Sequence, residues 1–144
     1  LAAHSHSKVK IANQAMGVLS QTARSGDASL QLAIGQIAYD RGELEAAEAA
    51  FVKARAAAKP GSRWIASIEE MHALLKEKVG DSEGAIEHYK AAVAAEPERE
   101  LPLKRLAELY GMRKDFTNGA AWMERYIATR PLGLGHQYGT LGDY

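Results

Sequence analysis

The 144-residue chain has no cysteine, few aromatic residues (7%) and no surplus of either charge, with 18 basic side chains against 18 acidic. The missing cysteine excludes disulfides and thiolate chemistry but leaves the compartment open, because cytosolic and exported proteins alike can lack it. So few aromatics beside 47% hydrophobic residues imply an alanine-padded core, which suits close helix packing better than a large cofactor cavity. Balanced charge, with a pI near 7.2, argues against a nucleic-acid surface, since neutralising phosphates needs a basic face or stripe. No stretch approaches the roughly 20 apolar residues of a membrane span, and no signal peptide is visible at Leu1. A soluble chain is expected, cytoplasmic or periplasmic.

Motifs that carry chemistry are also missing. There is no G-x-S-x-G, phosphate-binding loop or H-E-x-x-H, and Gly133-Leu134-Gly135 follows a proline with no strand before it, which does not support a nucleotide fingerprint. His4 and His6 form an H-x-H pair, but structural zinc takes four ligands and no other cluster accompanies them. A catalytic histidine needs a partner within hydrogen-bond reach; for His72 and His88 the nearby acids Glu69, Glu70 and Glu87 read as a solvated helix face. The expectation is a chain that is not an enzyme and has no metal or cofactor.

What the chain does have is a repeat. Pro97 and Pro131 lie 34 residues apart, as do Ala73 and Ala107, and Ala85 and Gly119. Close crossing of two antiparallel helices requires small facing side chains, and the sequence supplies Gly35 with Ala47, Ala73 with Ala85, and Ala107 with Gly119. One turn on, Phe51, Tyr89 and Met123 are expected to fill the space beside each crossing. Gly42 and Gly80 sit where a first helix must stop, and Glu43, Asp81 and Asp115 place an acid at the N-terminus of the next. Pro97 and Pro131 then end the second helices.

Val9, Ala12, Met16, Leu19 and Ala23 reproduce, 35 residues upstream, the apolar spacing of Leu44, Ala47, Phe51, Ala54 and Ala58, which predicts a second-type helix over 7–24. Leu134-Gly135, Tyr138 and Gly142-Asp143-Tyr144 read as the first helix of a further unit. Trp64 is expected to open the longer first helix of the middle unit, and Trp122 to pack against a neighbouring helix or to serve as an exposed contact for a partner.

This pattern resembles the tetratricopeptide repeat, a helix-turn-helix unit of about 34 residues with Leu-Gly and Tyr on helix A, then Ala, Phe and Pro on helix B. The resemblance implies an all-α fold, a helical-repeat solenoid (α-α superhelix) of antiparallel helix pairs forming one array over 1–144. Its parts are a partial B helix at 7–24, repeats at 27–61, 62–97 and 98–131, and the start of another at 132–144. Such an arrangement reads like a piece of a longer protein.

The resemblance further implies a concave groove lined by the A helices and occupied by a peptide or helix of a protein partner. The matching residues are Leu32, Gln36, Tyr39 and Asp40; Glu70, Met71, Leu74 and Lys78; and Leu101, Lys104, Arg105, Glu108 and Met112. In the subgroup that grips chaperone tails, Lys and Asn line the first helix A, Asn the second, and Lys and Arg the third. Here Leu32 and Gln36, Met71, and Leu101 and Arg105 take those places, so only Arg105 fits and chaperone-tail binding is rejected. A partly apolar ligand is expected instead.

The leading expectation is a non-catalytic interaction scaffold, in which Arg105→Glu with Met71→Lys removes binding without altering the melting curve. The alternatives are an accessory domain of a larger enzyme or secretion or assembly protein, and a self-assembling module that forms homo-oligomers through unpaired terminal helices.

Overall fold

The computed structural model describes residues 8–14 and 27–130. Residues 8–14 are helical; the rest of the helix expected over 7–24, and the half-unit expected at 132–144, lie outside the described residues, as do His4, His6 and Pro131. Six further helices follow: α1 (Ala28–Asp40), α2 (Leu44–Ala57), α3 (Ile65–Lys78), α4 (Ser82–Ala95), α5 (Glu100–Met112) and α6 (Phe116–Ala128). No strand occurs among the described residues, and no helix there is long and apolar enough to cross a membrane. The architecture is an all-α helical-repeat solenoid. Packing is most extensive within the pairs α1–α2, α3–α4 and α5–α6; α2 also packs on α3, α4 on α5, and α1 touches α3.

Local chemistry explains where the helices stop and start. At the ends of α1, α3 and α5 the same left-handed turn recurs, with Gly42 (φ 77°), Gly80 (φ 82°) and Lys114 (φ 61°) at its key position. In each, the turn residue's N–H bonds three residues back and the next N–H bonds five residues back: Glu43 to Ala38, Asp81 to Lys76, and Asp115 to Tyr110, at 2.8–2.9 Å. These bonds satisfy carbonyls that the helix end would otherwise orphan. Asp27, Asp81 and Asp115 cap the following helices, accepting backbone N–H bonds from Ser29 and Leu30, from Gly84, and from Asn118. Glu43 makes no such bond and pairs with Arg41 at 2.8 Å.

One detail differs from expectation. α3 is one residue longer than α1, 14 against 13, and starts after Trp64. The added length of the middle unit therefore lies mostly in the connection before it, where Gly61 turns with φ 80° and Ser62 Oγ accepts from the Trp64 N–H. α4 ends at Ala95, two residues ahead of Pro97, because Glu96 takes the extended conformation imposed on a residue preceding proline. Pro102, by contrast, sits inside the first turn of α5, where its missing N–H has no intrahelical acceptor to lose.

The core forms two clusters. Leu32, Phe51, Ile68 and Leu75 anchor one between α1, α2 and α3; Ile86, Tyr89, Leu103, Leu106 and Leu109 anchor the other between α3, α4 and α5. Each such large side chain contributes about 1.5–3 kcal/mol on burial, so the array is held by stacking of neighbouring pairs.

The crossings are tight for more than one reason. Ala73 and Ala85 are fully buried in one cluster, and a β-carbon on Gly119 would lie 3.4 Å from the Ala107 carbonyl oxygen. Gly35 differs from expectation: the space its missing side chain leaves is taken by the Phe51 ring. Phe51 and Tyr89 are fully buried, whereas Met123 is 37% exposed, because no described element packs over the outer side of α6. Trp122 is half-buried against the second cluster.

Candidate functional site

The A-type helices α1, α3 and α5 carry the residues expected to line a groove, and the structure sorts them into three groups. Gln36, Asp40, Lys78, Lys104 and Met112 are exposed, and Leu101 is slightly so. Tyr39 and Met71 are half-buried against the first cluster and Leu74 against the second. Lys78 Nζ lies 4.8 Å from the centre of the Tyr39 ring, a cation–π contact that joins α1 to α3 at the surface.

The remaining residues are committed to the fold. Leu32 is a correction: at 4% exposure it packs with Phe51 and Ile68, because it lies one turn before Gly35 on the side of α1 that meets α2. Arg105 forms ion pairs with Glu77 of α3 and with Glu108 on its own helix. The hydroxyl of fully buried Tyr89 also donates to Glu77. Burial alone would raise the Glu77 carboxyl, but hydrogen bonds from Arg105 and Tyr89 outweigh it and hold the group below its ordinary range. Burial and the bond to Glu77 push the Tyr89 hydroxyl well above its usual value, so it stays a donor.

Arg105 is thus a clamp between α3 and α5, and Arg105→Glu would place two carboxylates together. This change should therefore lower stability, against the expectation that it spares the melting curve. Glu70 is likewise held: Arg99, just before α5, donates to Glu70 at 3.0 Å, to Ser67 at 3.1 Å and to Glu96 at 2.8 Å.

The histidines correct a second reading. Glu69 is no solvated acid but is buried, accepting from His88 Nδ1 at 2.7 Å and from Arg55 Nε at 2.9 Å. His72 Nε2 bonds Glu48 at 2.8 Å, and Lys76 reaches the other oxygen of Glu48 at 3.2 Å. Both histidines therefore have carboxylate partners, but each carboxylate is shared with a permanent cation and the whole set joins α2, α3 and α4. No group of three or more metal-type ligands occurs among the described residues.

Sequence reasoning missed Glu77, Arg99 and Glu48 because their partners sit on other helices. Only the charge of these residues was visible, and charge on a helix does not reveal what it faces.

No protein-family model matches the chain, and no curated protein matches it. Solved structures do. A crystal structure of MamA superimposes with a TM-score of 0.74 over 88% of this chain and 72% of that one, at 16% identity. A second MamA crystal structure gives 0.71 over 88% and 68%, at 16% identity. A double mutant of MamA from RS-1 gives 0.70 over 85% and 68%, at 17%. At these identities the likeness is one of fold.

Proposed function

We propose that the array is a non-catalytic, tetratricopeptide-like scaffold that holds a peptide or helix of a protein partner along α1, α3 and α5. The observation that carries this reading is the surface strip of Tyr39, Met71, Leu74 and Lys78. Partly buried apolar groups there adjoin the Lys78 ammonium on the Tyr39 ring, whereas Arg105, Glu77 and Glu70 are engaged in ion pairs between α3 and the α5 end. Flexible methionine and an amphipathic tyrosine suit a partly apolar segment laid across two helices.

The test is selection of peptides from a displayed library on the whole chain, followed by binding to a Met71→Lys, Lys78→Glu double variant. Both positions lie outside the Arg105–Glu77 clamp, but Met71 packs on the first cluster and Lys78 on Tyr39, so the melting midpoint should fall somewhat; compared well below both midpoints, affinity should fall at least tenfold. Undiminished binding by the variant would sink the assignment.

A second reading, self-assembly, is favoured by one observation. Phe116 (69% exposed), Met123 and Ile127 (57% exposed) share one face of α6, an apolar stripe open to another copy of the chain. Sedimentation should then show association that Phe116→Glu with Ile127→Glu abolishes; a monomer at all concentrations would count against it.

A further inference from the structure

The two histidines of the middle helix pair lie face to face, with ring centres 3.9 Å apart and planes 20° from parallel. His72 is enclosed further by the Phe51 ring, 6.0 Å away, and its side chain is only 8% exposed. Six groups make up the set among the described residues. α2 contributes Glu48 and Arg55, α3 contributes Glu69, His72 and Lys76, and α4 contributes His88.

With both rings neutral the charges balance, Glu48 against Lys76 and Glu69 against Arg55. An ionised carboxylate only accepts, so each neutral ring already donates its one N–H to its glutamate. One added proton leaves the set with a surplus positive charge. A second would press two imidazolium rings together at stacking distance, with the His72 ring largely shielded from water.

We propose that the His72–His88 stack is an acid-sensitive joint between α3 and α4, the two helices of the middle pair. Protonation drives the rings apart and loosens the α3–α4 crossing, while the His72–Glu48 and Arg55–Glu69 pairs still tie α2 to α3. Histidine clusters at packed seams are suited to this because their charge changes near neutral pH while that of their partners does not.

Burial holds the His72 imidazole below its ordinary value near 6.5, with the charge of His88 acting in the same direction and Glu48 opposing. For a base lowered on folding, the unfolded chain takes the proton first. Stability is therefore full above about pH 6.5 and declines as pH falls through that value toward the folded one. Glu48, Glu69 and Glu77 are held below their ordinary value of 4.5, so the stability they carry is lost only at lower pH. The window from pH 7.5 to about 5.5 belongs to histidine.

The test follows the thermal midpoint and hydrogen exchange of the whole chain across that window at fixed ionic strength. The midpoint of the unaltered protein should fall by several degrees, and protection, corrected for the pH dependence of intrinsic exchange, should drop in α3 and α4 before α5 and α6. His88→Gln keeps a polar partner for Glu69 and leaves the other four of the chain's five histidines in place, so it should lessen the slope and leave the part carried by the burial of His72. A flat midpoint in the unaltered chain, an unchanged slope in the variant, or loosening spread evenly over all six helices would each overturn the proposal. Should the variant not fold, ring-proton NMR of the unaltered chain decides. Coupled two-step titration of the two rings supports the joint, and independent single steps refute it. None of these measurements involves a bound partner, so the result is independent of the groove.

Discussion

Gly35 of α1 stands directly against the ring of Phe51 of α2: a β-carbon at Gly35 would lie 2.5 Å from Cε1 and 2.6 Å from Cδ1. Phe51 is fully buried, so its ring has nowhere to retreat. In Gly35→Ala, a helix-propensity gain of about 1 kcal/mol competes with an overpacking cost of about 1–3 kcal/mol. The cost should win in so closed a site, lowering stability in urea by up to about 2 kcal/mol; a stabilised variant would mean that the α1–α2 crossing gives way easily.

Lys114 holds the left-handed position that glycine holds at the two earlier turns, with φ 61°. A side chain in that region costs about 1–2 kcal/mol, and glycine gives back part of the gain by freeing the unfolded chain. Lys114→Gly should therefore stabilise by about 0.5–1 kcal/mol in chemical denaturation. A loss of stability would show that the Lys114 side chain makes a contact worth more than the backbone strain.

Arg105→Ala removes the clamp on Glu77 and leaves a partly buried carboxylate bonded only to Tyr89. Both charges keep some contact with water, so the expected loss at pH 7 is about 1–3 kcal/mol, below that of a fully buried pair. The sign with pH is fixed by Glu77, whose folded value is depressed below 4.5 in the intact protein. The stability this carries is present above about pH 4.5 and disappears as pH falls through the folded value, so the gap between variant and parent should narrow below about pH 4. A gap independent of pH would remove Glu77 as the cause.

Ala85 of α4 is fully buried in the cluster that holds Ala73. Ala85→Leu should cost about 1–3 kcal/mol through overpacking, read as a lower thermal midpoint. An unchanged midpoint would indicate room at the α3–α4 crossing that the fold does not show.

Much of this architecture was legible in the chain because it is written in local rules. Gly42 and Gly80 mark turns whose backbone only glycine adopts freely, Asp81 and Asp115 mark helix starts, and alanine at a constant interval marks close crossings. Lys114 was not legible as a turn residue, since lysine is a good helix former; its φ of 61° and the five-back hydrogen bond of Asp115 reveal it. Met123 matched Phe51 and Tyr89 in register, yet it remains partly exposed, because burial depends on what packs over a residue and not on its place in a period.

By itself the sequence determined the helical repeat and the turns and caps that punctuate it, since these follow from backbone geometry and from side chains only a few positions apart. The tertiary structure decided which charges meet. Arg105 reaches Glu77 across 28 residues and Lys76 reaches Glu48 across the same separation, while His72 stacks on His88. Those pairings depend on the rotation and offset of one helix against the next, a quantity set by the whole packed array and by no single stretch of it.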